Sequence, residues 1–119
     1  MKSVLIADDH PDIVNMALDI LDDGEVELFA AYDGIQAAEL ARREKPTLIL
    51  ADVMMPGLNG MELCRRIKAD PTTANVIVVL MSAVYCSPAA DCLADAFLRK
   101  PFDIVAMRAT VARWLAASA

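Results

Sequence analysis

Four apolar runs in this 119-residue chain end on residues able to do chemistry. SVLIA (3–7) is followed by Asp8 and Asp9, TLILA (47–51) by Asp52, VIVVLM (76–81) by Ser82, and AFLR (96–99) by Lys100. An acid at the lip of an apolar strand is usually a helix cap, because its oxygens accept the unpaired N–H groups of the next turn. Asp52 fits that role poorly, since Val53, Met54, Met55, Pro56 and Gly57 follow it and read as a loop. Each of the others has a plain alternative too: Asp8 and Asp9 as capping acids, Ser82 as a turn residue, Lys100 as a surface lysine. Five such needs rarely converge by chance on one side of a sheet, so the functional reading leads. Three carboxylates in one pocket repel one another, at about 4 kcal/mol per pair for ~4 Å and an effective dielectric of ~20. Lys100 offsets part of that, and an oxygen-rich, partly hydrated set suits Mg²⁺, which binds one or two carboxylates and keeps waters for a phosphate ligand. Acids, a hydroxyl and a lysine together describe a phosphoryl site. No Gly-rich phosphate loop is present for a nucleotide, so the phosphoryl group must arrive on another carrier.

The elements that would hold these groups are visible in the hydrophobic pattern. The runs SVLIA, ELFAA, TLILA, VIVVLM and AFLR alternate with segments of helical period, which predicts a parallel sheet covered on both faces. In such doubly wound sheets ligands sit beyond the carboxyl ends of the strands. Asp33 with Gln36, and Asn59 with Glu62, have capping-box spacing, and Pro11 suits a first helical position. Between Pro11 and Asp22 the polar Asp12, Asn15, Asp19 and Asp22 share one side of the helical wheel, leaving an apolar arc from Ile13 to Leu21. Asp103 is a plausible cap for a last helix in which Ile104, Met107, Val111 and Trp114 recur at three and four. Only Ser82 to Asp95 separate the fourth and fifth runs, with Pro88 inside, so the fourth helix is expected to be short or irregular.

Bulk properties narrow the class. The length suits one domain, assigned to 1–119, without repeat or linker, and large enough to bury a core unaided. Hydrophobic residues make up 57% and charged residues 24%, which argues against disorder, and no apolar run approaches a membrane span. A formal charge of -6 would repel a phosphate backbone, so nucleic acid is not expected as a direct partner. The few apolar residues before Asp8 are too short for a signal peptide, and a cytoplasmic location is expected. Cys64, Cys86 and Cys92 lack the spacing of zinc or redox motifs and read as reduced structural thiols.

The segments IADDHPD, LILADVMMPGLNGMEL, VLMSA and FLRKPF, in that order, resemble the receiver domain of two-component response regulators over essentially the whole chain. The resemblance implies a CheY-like, flavodoxin-like α/β fold with strand order 2-1-3-4-5. It implies that Asp52 takes a phosphoryl group from the phosphohistidine of a histidine kinase or phosphotransfer protein. Mg²⁺ would be held by Asp9, Asp52 and the backbone carbonyl of Met54, with Asp8 acting mainly through water. Ser82 and Lys100 would contact the phosphoryl oxygens, the Lys100–Pro101 bond would be cis, and Ser82 with Phe97 would form the conformational switch. The implied role is that of an acceptor and signalling switch rather than a turnover enzyme, monomeric or weakly dimeric, acting on a downstream protein. Apolar residues two after the acceptor and two after Ser82, Met54 and Val84, imply slow self-hydrolysis.

Several features depart from the family pattern. The connection AVYCSPAADCLAD looks several residues short, which leaves the partner surface and the setting of Tyr85 and Cys86 open. Phe97 carries no hydroxyl and can signal only by shape. His10, the single histidine, is read as a loop or capping residue rather than a relay phosphohistidine. Two other readings compete: a Mg²⁺-dependent phosphatase or phosphotransferase, weakened by adjacent rather than D-x-D acids, and a receiver-like adaptor independent of phosphate, weakened by the retained acids, Ser82 and Lys100.

Overall fold

The computed structural model describes residues 2–82, 94–100 and 103–117. Five parallel strands, β1 (Lys2–Ala7), β2 (Val26–Ala31), β3 (Leu48–Asp52), β4 (Ile77–Ser82) and β5 (Ala96–Arg99), form one sheet in the order β2-β1-β3-β4-β5. Helices α1 (Pro11–Leu21), α2 (Gly34–Glu44), α3 (Gly60–Ala69) and α4 (Ile104–Ala117) cover it. This is the expected doubly wound order. Asp52 and Ser82 are the last residues of β3 and β4 rather than the first after them, so both are fixed by strand pairing, opposite Met81 and Arg99.

Alternation along the buried strands divides the core in two, since neighbouring side chains point to opposite faces. Leu5, Ile49, Val78 and Leu80 pack with Ala37, Ala41, Leu63 and Ile67 of α2 and α3. Val4, Ile6, Leu48, Leu50, Val79 and Met81 pack with Val14, Ala17, Leu21, Met107 and Val111 of α1 and α4. Both faces of β1, β3 and β4 are largely buried, which is why these strands read as unbroken apolar runs.

The cap signals hold with one change of partner. Asp33 Oδ1 accepts the Gln36 N–H at 2.7 Å, and Gln36 Oε1 reaches back to the N–H of Tyr32, one residue before the cap, at 2.7 Å. Asn59 accepts the Glu62 N–H at 2.9 Å, and Asp103 caps Ala106 at 2.6 Å. Pro11 opens α1. The periodicity of α4 misplaces Ile104: at its first turn the helix has not yet reached the sheet, and Ile104 is 53% exposed while Met107 and Val111 are buried. The short or irregular fourth helix expected between β4 and β5, and with it Val84, Tyr85, Cys86, Pro88 and Cys92, lies outside the described residues, as does Pro101. Cys64 is buried on α3 and forms no disulfide. Among the described residues no helix is long and apolar enough to cross a membrane.

Candidate functional site

The carboxyl ends of β1, β3, β4 and β5 bring the chemistry-bearing residues to one edge. By strand alternation Asp8, Asp52 and Lys100 continue the side of Ile6, Leu50 and Leu98, which faces α1 and α4. Ser82 continues the opposite side, that of Leu80, whose partner across the ladder is Phe97. Lys100 follows the last residue of β5, and its backbone N–H donates to the Ser82 carbonyl at 2.8 Å, which ties the lysine to the end of β4.

Asp8 is fully buried. Its Oδ2 accepts from Lys100 Nζ at 2.8 Å, and its Oδ1 accepts from both the backbone N–H of His10 at 3.0 Å and, at 2.9 Å, the His10 ring through Nδ1. Burial pushes the Asp8 carboxyl up, but the hydrogen bonds from Lys100 and His10 outweigh it and hold Asp8 below the usual carboxylate value. Asp52, also buried, lies farther from the lysine, with Oδ2 3.5 Å from Nζ. Burial and the Asp8 charge raise its pKa; Lys100 and the backbone of Met54 oppose this without reversing it. Lys100 therefore serves Asp8 first, and Asp52 keeps proton affinity in the absence of a further cation.

Asp9 projects outward and is 34% exposed on its side chain. One donor atom each from Asp8, Asp9, His10 and Asp52 lies within 4.8 Å of the others, a grouping able to hold a metal ion. The chemistry of the donor set fits Mg²⁺: three carboxylates against one lysine leave negative charge to offset, and Asp9 faces water that a hydrated ion can retain.

The segment after Asp52 is anchored at both ends. Val53 donates to the Met81 carbonyl at 2.9 Å, and the Gly60 N–H returns to the Val53 carbonyl at 2.9 Å. Gly60 has no room for a side chain, since a Cβ would stand 2.4 Å from the Asp52 carbonyl oxygen. Gly57 takes a positive φ of 77°, the left-handed turn that favours glycine. Between these anchors Met54 is an exposed residue whose backbone hydrogen-bonds to Asp52.

Asp8, Asp9, Asp52, Ser82 and Lys100 thus meet at one edge. Phe97 is half-buried, packed on the α2–α3 side of the core two residues before the end of β5. His10 is the residue that the sequence reading undervalued. It holds the cap position of α1 by backbone geometry, yet its side chain caps nothing. The ring instead sits on the acids, 2.9 Å from Asp8 and 3.1 Å from Asp9, and the Asp8 hydrogen bond, followed by the charges of both acids, raises its pKa. The signal was its adjacency: a histidine directly after two acids, at the turn into a helix, has few directions to point.

Comparison with known proteins agrees with this geometry. Residues 4–112 match the family model described as the response regulator receiver domain. Response regulator PleD of Caulobacter vibrioides is 38% identical over 112 residues, which cover 91% of this chain but 25% of that protein, so the chain spans about a quarter of that relative's length. Sporulation initiation phosphotransferase F of Bacillus subtilis is 29% identical over 118 residues, covering 96% of this chain and 94% of that one. Among solved structures, the receiver domain of a sensor histidine kinase from Pseudomonas aeruginosa PAO1, solved with a magnesium ion coordinated in its active-site cleft, superposes with a TM-score of 0.86 at 25% identity, covering 97% of this chain and 98% of that one. With its sheet order, its acid-and-lysine edge and a family match across nearly all of its length, the chain belongs to the response regulator receiver domain family of two-component signalling proteins.

Proposed function

We propose that the chain, as one receiver domain over 1–119, works as a phosphorylation-dependent switch in which Asp52 accepts a phosphoryl group from the phosphohistidine of a histidine kinase or phosphotransfer protein. The observation that carries this reading is the asymmetric sharing of Lys100, 2.8 Å from Asp8 and 3.5 Å from Asp52. Asp8 holds the lysine in place, and Asp52 is left as the carboxylate with an oxygen to spare. In the transfer, an Asp52 carboxylate oxygen attacks phosphorus, the P–N bond to the donor imidazole breaks, and an acyl phosphate forms on Asp52. Lys100 meets the equatorial oxygens as their charge shifts, and the Ser82 hydroxyl donates from the β4 side, so little reorganisation is needed at the moment of reaction. Asp9, Asp52 and the Met54 carbonyl would hold Mg²⁺ directly and Asp8 would act mainly through water; the ion, when bound, supplies charge screening between the carboxylates and the incoming phosphate.

The product acts by charge. An acyl phosphate carries roughly two negative charges where the carboxylate carried one, and presents three phosphoryl oxygens as acceptors at the end of β3. Ser82 is drawn toward it, and Phe97, on the same face of the sheet as Ser82, turns into the space released, shifting the balance of two conformations rather than building a new fold. The domain is an acceptor that resets, not a turnover enzyme, and the change is passed to a downstream protein. Apolar residues two after Asp52 and two after Ser82, Met54 and Val84, make self-hydrolysis of the acyl phosphate slow.

Incubation with acetyl phosphate and Mg²⁺, followed by intact mass measurement, tests this. One phosphoryl adduct is expected on the wild type and none on Asp52→Asn. An adduct that persists in Asp52→Asn, or none in the wild type, refutes the assignment.

A further inference from the structure

Lys100 can meet the acids only where β5 delivers it, and β5 has little of its own to fix that place. It is an edge strand of four residues, paired on one side with β4, and Leu98 alone among the four is buried. A slip by one residue along β4 would carry Lys100 ~3.3 Å and turn its side chain to the other face of the sheet. We infer that Lys68 and Asp95 are positioning residues for phosphoryl transfer: together they lock the register of β5 and so place Lys100 against Asp8 and Asp52. Both act at the start of β4, the end away from the acids. The inference rests on the proposed reading of Asp52 as acceptor and Lys100 as its cationic contact, and names what aligns the two.

Three observations carry it. The first is a double grip on one residue of β4. Asp95, the residue before β5, donates its backbone N–H to the Val78 carbonyl at 2.8 Å, and its Oδ2 accepts the Val78 N–H at 2.8 Å. The carboxylate thus closes the rung that a longer strand would close with a carbonyl, so no buried donor is orphaned where β5 begins. The second is what holds that carboxylate. Lys68, in the last turn of α3, donates from Nζ to Asp95 Oδ2 at 2.9 Å and to the Val76 carbonyl at 2.7 Å, and its side chain is only 13% exposed. A lysine so enclosed keeps its partners, because releasing them strands a charge. The third is slack. The Lys100 N–H ties the far end of β5 to the Ser82 carbonyl, so Asp95 to Lys100, five steps, faces Val78 to Ser82, four steps. The surplus residue is of the kind a bulge absorbs, and without the grip at Asp95 nothing at the start of β5 stops the strand from sliding to take it up.

The same helix reaches the acceptor. At the other end of α3 the Gly60 N–H bonds to the Val53 carbonyl, next to Asp52. One rigid element therefore braces the end of β3, which carries the nucleophile, and the start of β5, which carries the lysine.

The test follows the rate at which acetyl phosphate forms the Asp52 adduct on the full chain, beside Mg²⁺ affinity by calorimetric titration. The variants are Lys68→Met, Asp95→Asn, the two combined, and Lys68→Arg, each read at a temperature where circular dichroism shows it folded. Asp95→Asn keeps an oxygen for the Val78 N–H and answers the question should Lys68→Met fail to fold. Each single variant should slow the adduct by about tenfold or more, the loss expected when a transition-state contact is misplaced by an ångström or so. The combined variant should be no slower than the slower single one, because both residues act through one latch. Lys68→Arg, which keeps a cation for both oxygens, should recover most of the rate. Mg²⁺ affinity should change by less than about twofold, since its proposed ligands belong to β1 and β3. Hydrogen exchange at the Lys100 amide should quicken in the slowed variants while β1 is unchanged, a readout independent of the reaction. Wild-type rates in variants that merely melt lower make the pair structural and overturn the inference, as does a loss of rate matched by an equal loss of Mg²⁺ affinity. A wild type that forms no adduct, or forms it elsewhere than on Asp52, overturns instead the acceptor reading on which the inference stands.

Discussion

Asp8 and Asp52 share one lysine and titrate in opposite directions, and this difference defines the chemistry at the residue scale. Asp52 is raised above the ordinary 3.8, chiefly by burial and then by the Asp8 charge. From 3.8 upward the unfolded chain releases that proton while the folded chain still holds it, so metal-free stability falls as pH rises through the raised value. Asp8 is lowered, so its contribution is intact above 3.8 and is lost as pH falls through its folded value. Asp52→Asn removes the first effect and leaves Lys100 its closer partner. Without metal at pH 7 it should therefore melt higher than the wild type, by about 4 °C if the relief is about 1 kcal/mol, with the gap closing below pH 4. A melting series from pH 3 to 7 measures this, and a variant that melts lower throughout contradicts the crowded-acid account. Lys100→Met should do the reverse. It strands the fully buried Asp8 and should cost about 3 kcal/mol in a urea titration without metal, the usual penalty for removing one partner of a buried pair. The five residues of this edge were legible because each follows an apolar run, and the end of a buried strand fixes where the next side chain must stand. His10 was not, because the direction of a ring in a loop depends on the hydrogen bond its backbone makes, here to Asp8.

At the scale of elements, α2 acts as a clamp on the loop that carries the acceptor. A Cβ on Gly34 would lie 1.7 Å from the Leu58 carbonyl oxygen, and Ile35 Cδ1 sits 3.3 Å from the position a Cβ would take on Gly57. The start of α2 thus presses on 57–58, while the Gly60 N–H bond to Val53 draws the same loop against β3. Gly34→Ala cannot be relieved by a side-chain turn, because the obstacle is backbone. It should destabilise by about 1–3 kcal/mol and displace the loop, so hydrogen exchange should quicken at Val53 to Leu58 before it does in β1. Unchanged exchange across 53–58 would mean that the clamp has no influence on the acceptor loop. None of this could be read from the chain, where Gly34 appears only as a small residue after a capping aspartate. Helix starts fared better, since Asn59 and Asp103 cap through their own side chains. Ile104 misled because periodicity counts apolar spacing without knowing where the helix first meets the sheet.

For the whole molecule, the site is where separate parts of the sheet are tied together. Apolar runs identified the strands, but their order came only from the family resemblance, because a strand buried on both faces carries no mark of its neighbours. Once ordered β2-β1-β3-β4-β5, the sheet sets β1 beside β3 at its centre, and Lys100, just after edge strand β5, reaches across to Asp8 and Asp52. An ion gripped by Asp9 and Asp52 would join the first and third strands and bind only the folded chain, so it must stabilise globally by mass action. At a hundred times its dissociation constant Mg²⁺ should add about 2.7 kcal/mol, and Asp9→Ala should remove most of that gain. The formal charge of -6 supplies the necessary control, because any salt screens self-repulsion in so acidic a molecule. Melting curves should therefore be compared in MgCl₂ and in NaCl at matched ionic strength. A rise specific to MgCl₂ and dependent on Asp9 is expected; equal rises in both salts would reduce the acid edge to a patch of unfavourable charge with no ion of its own.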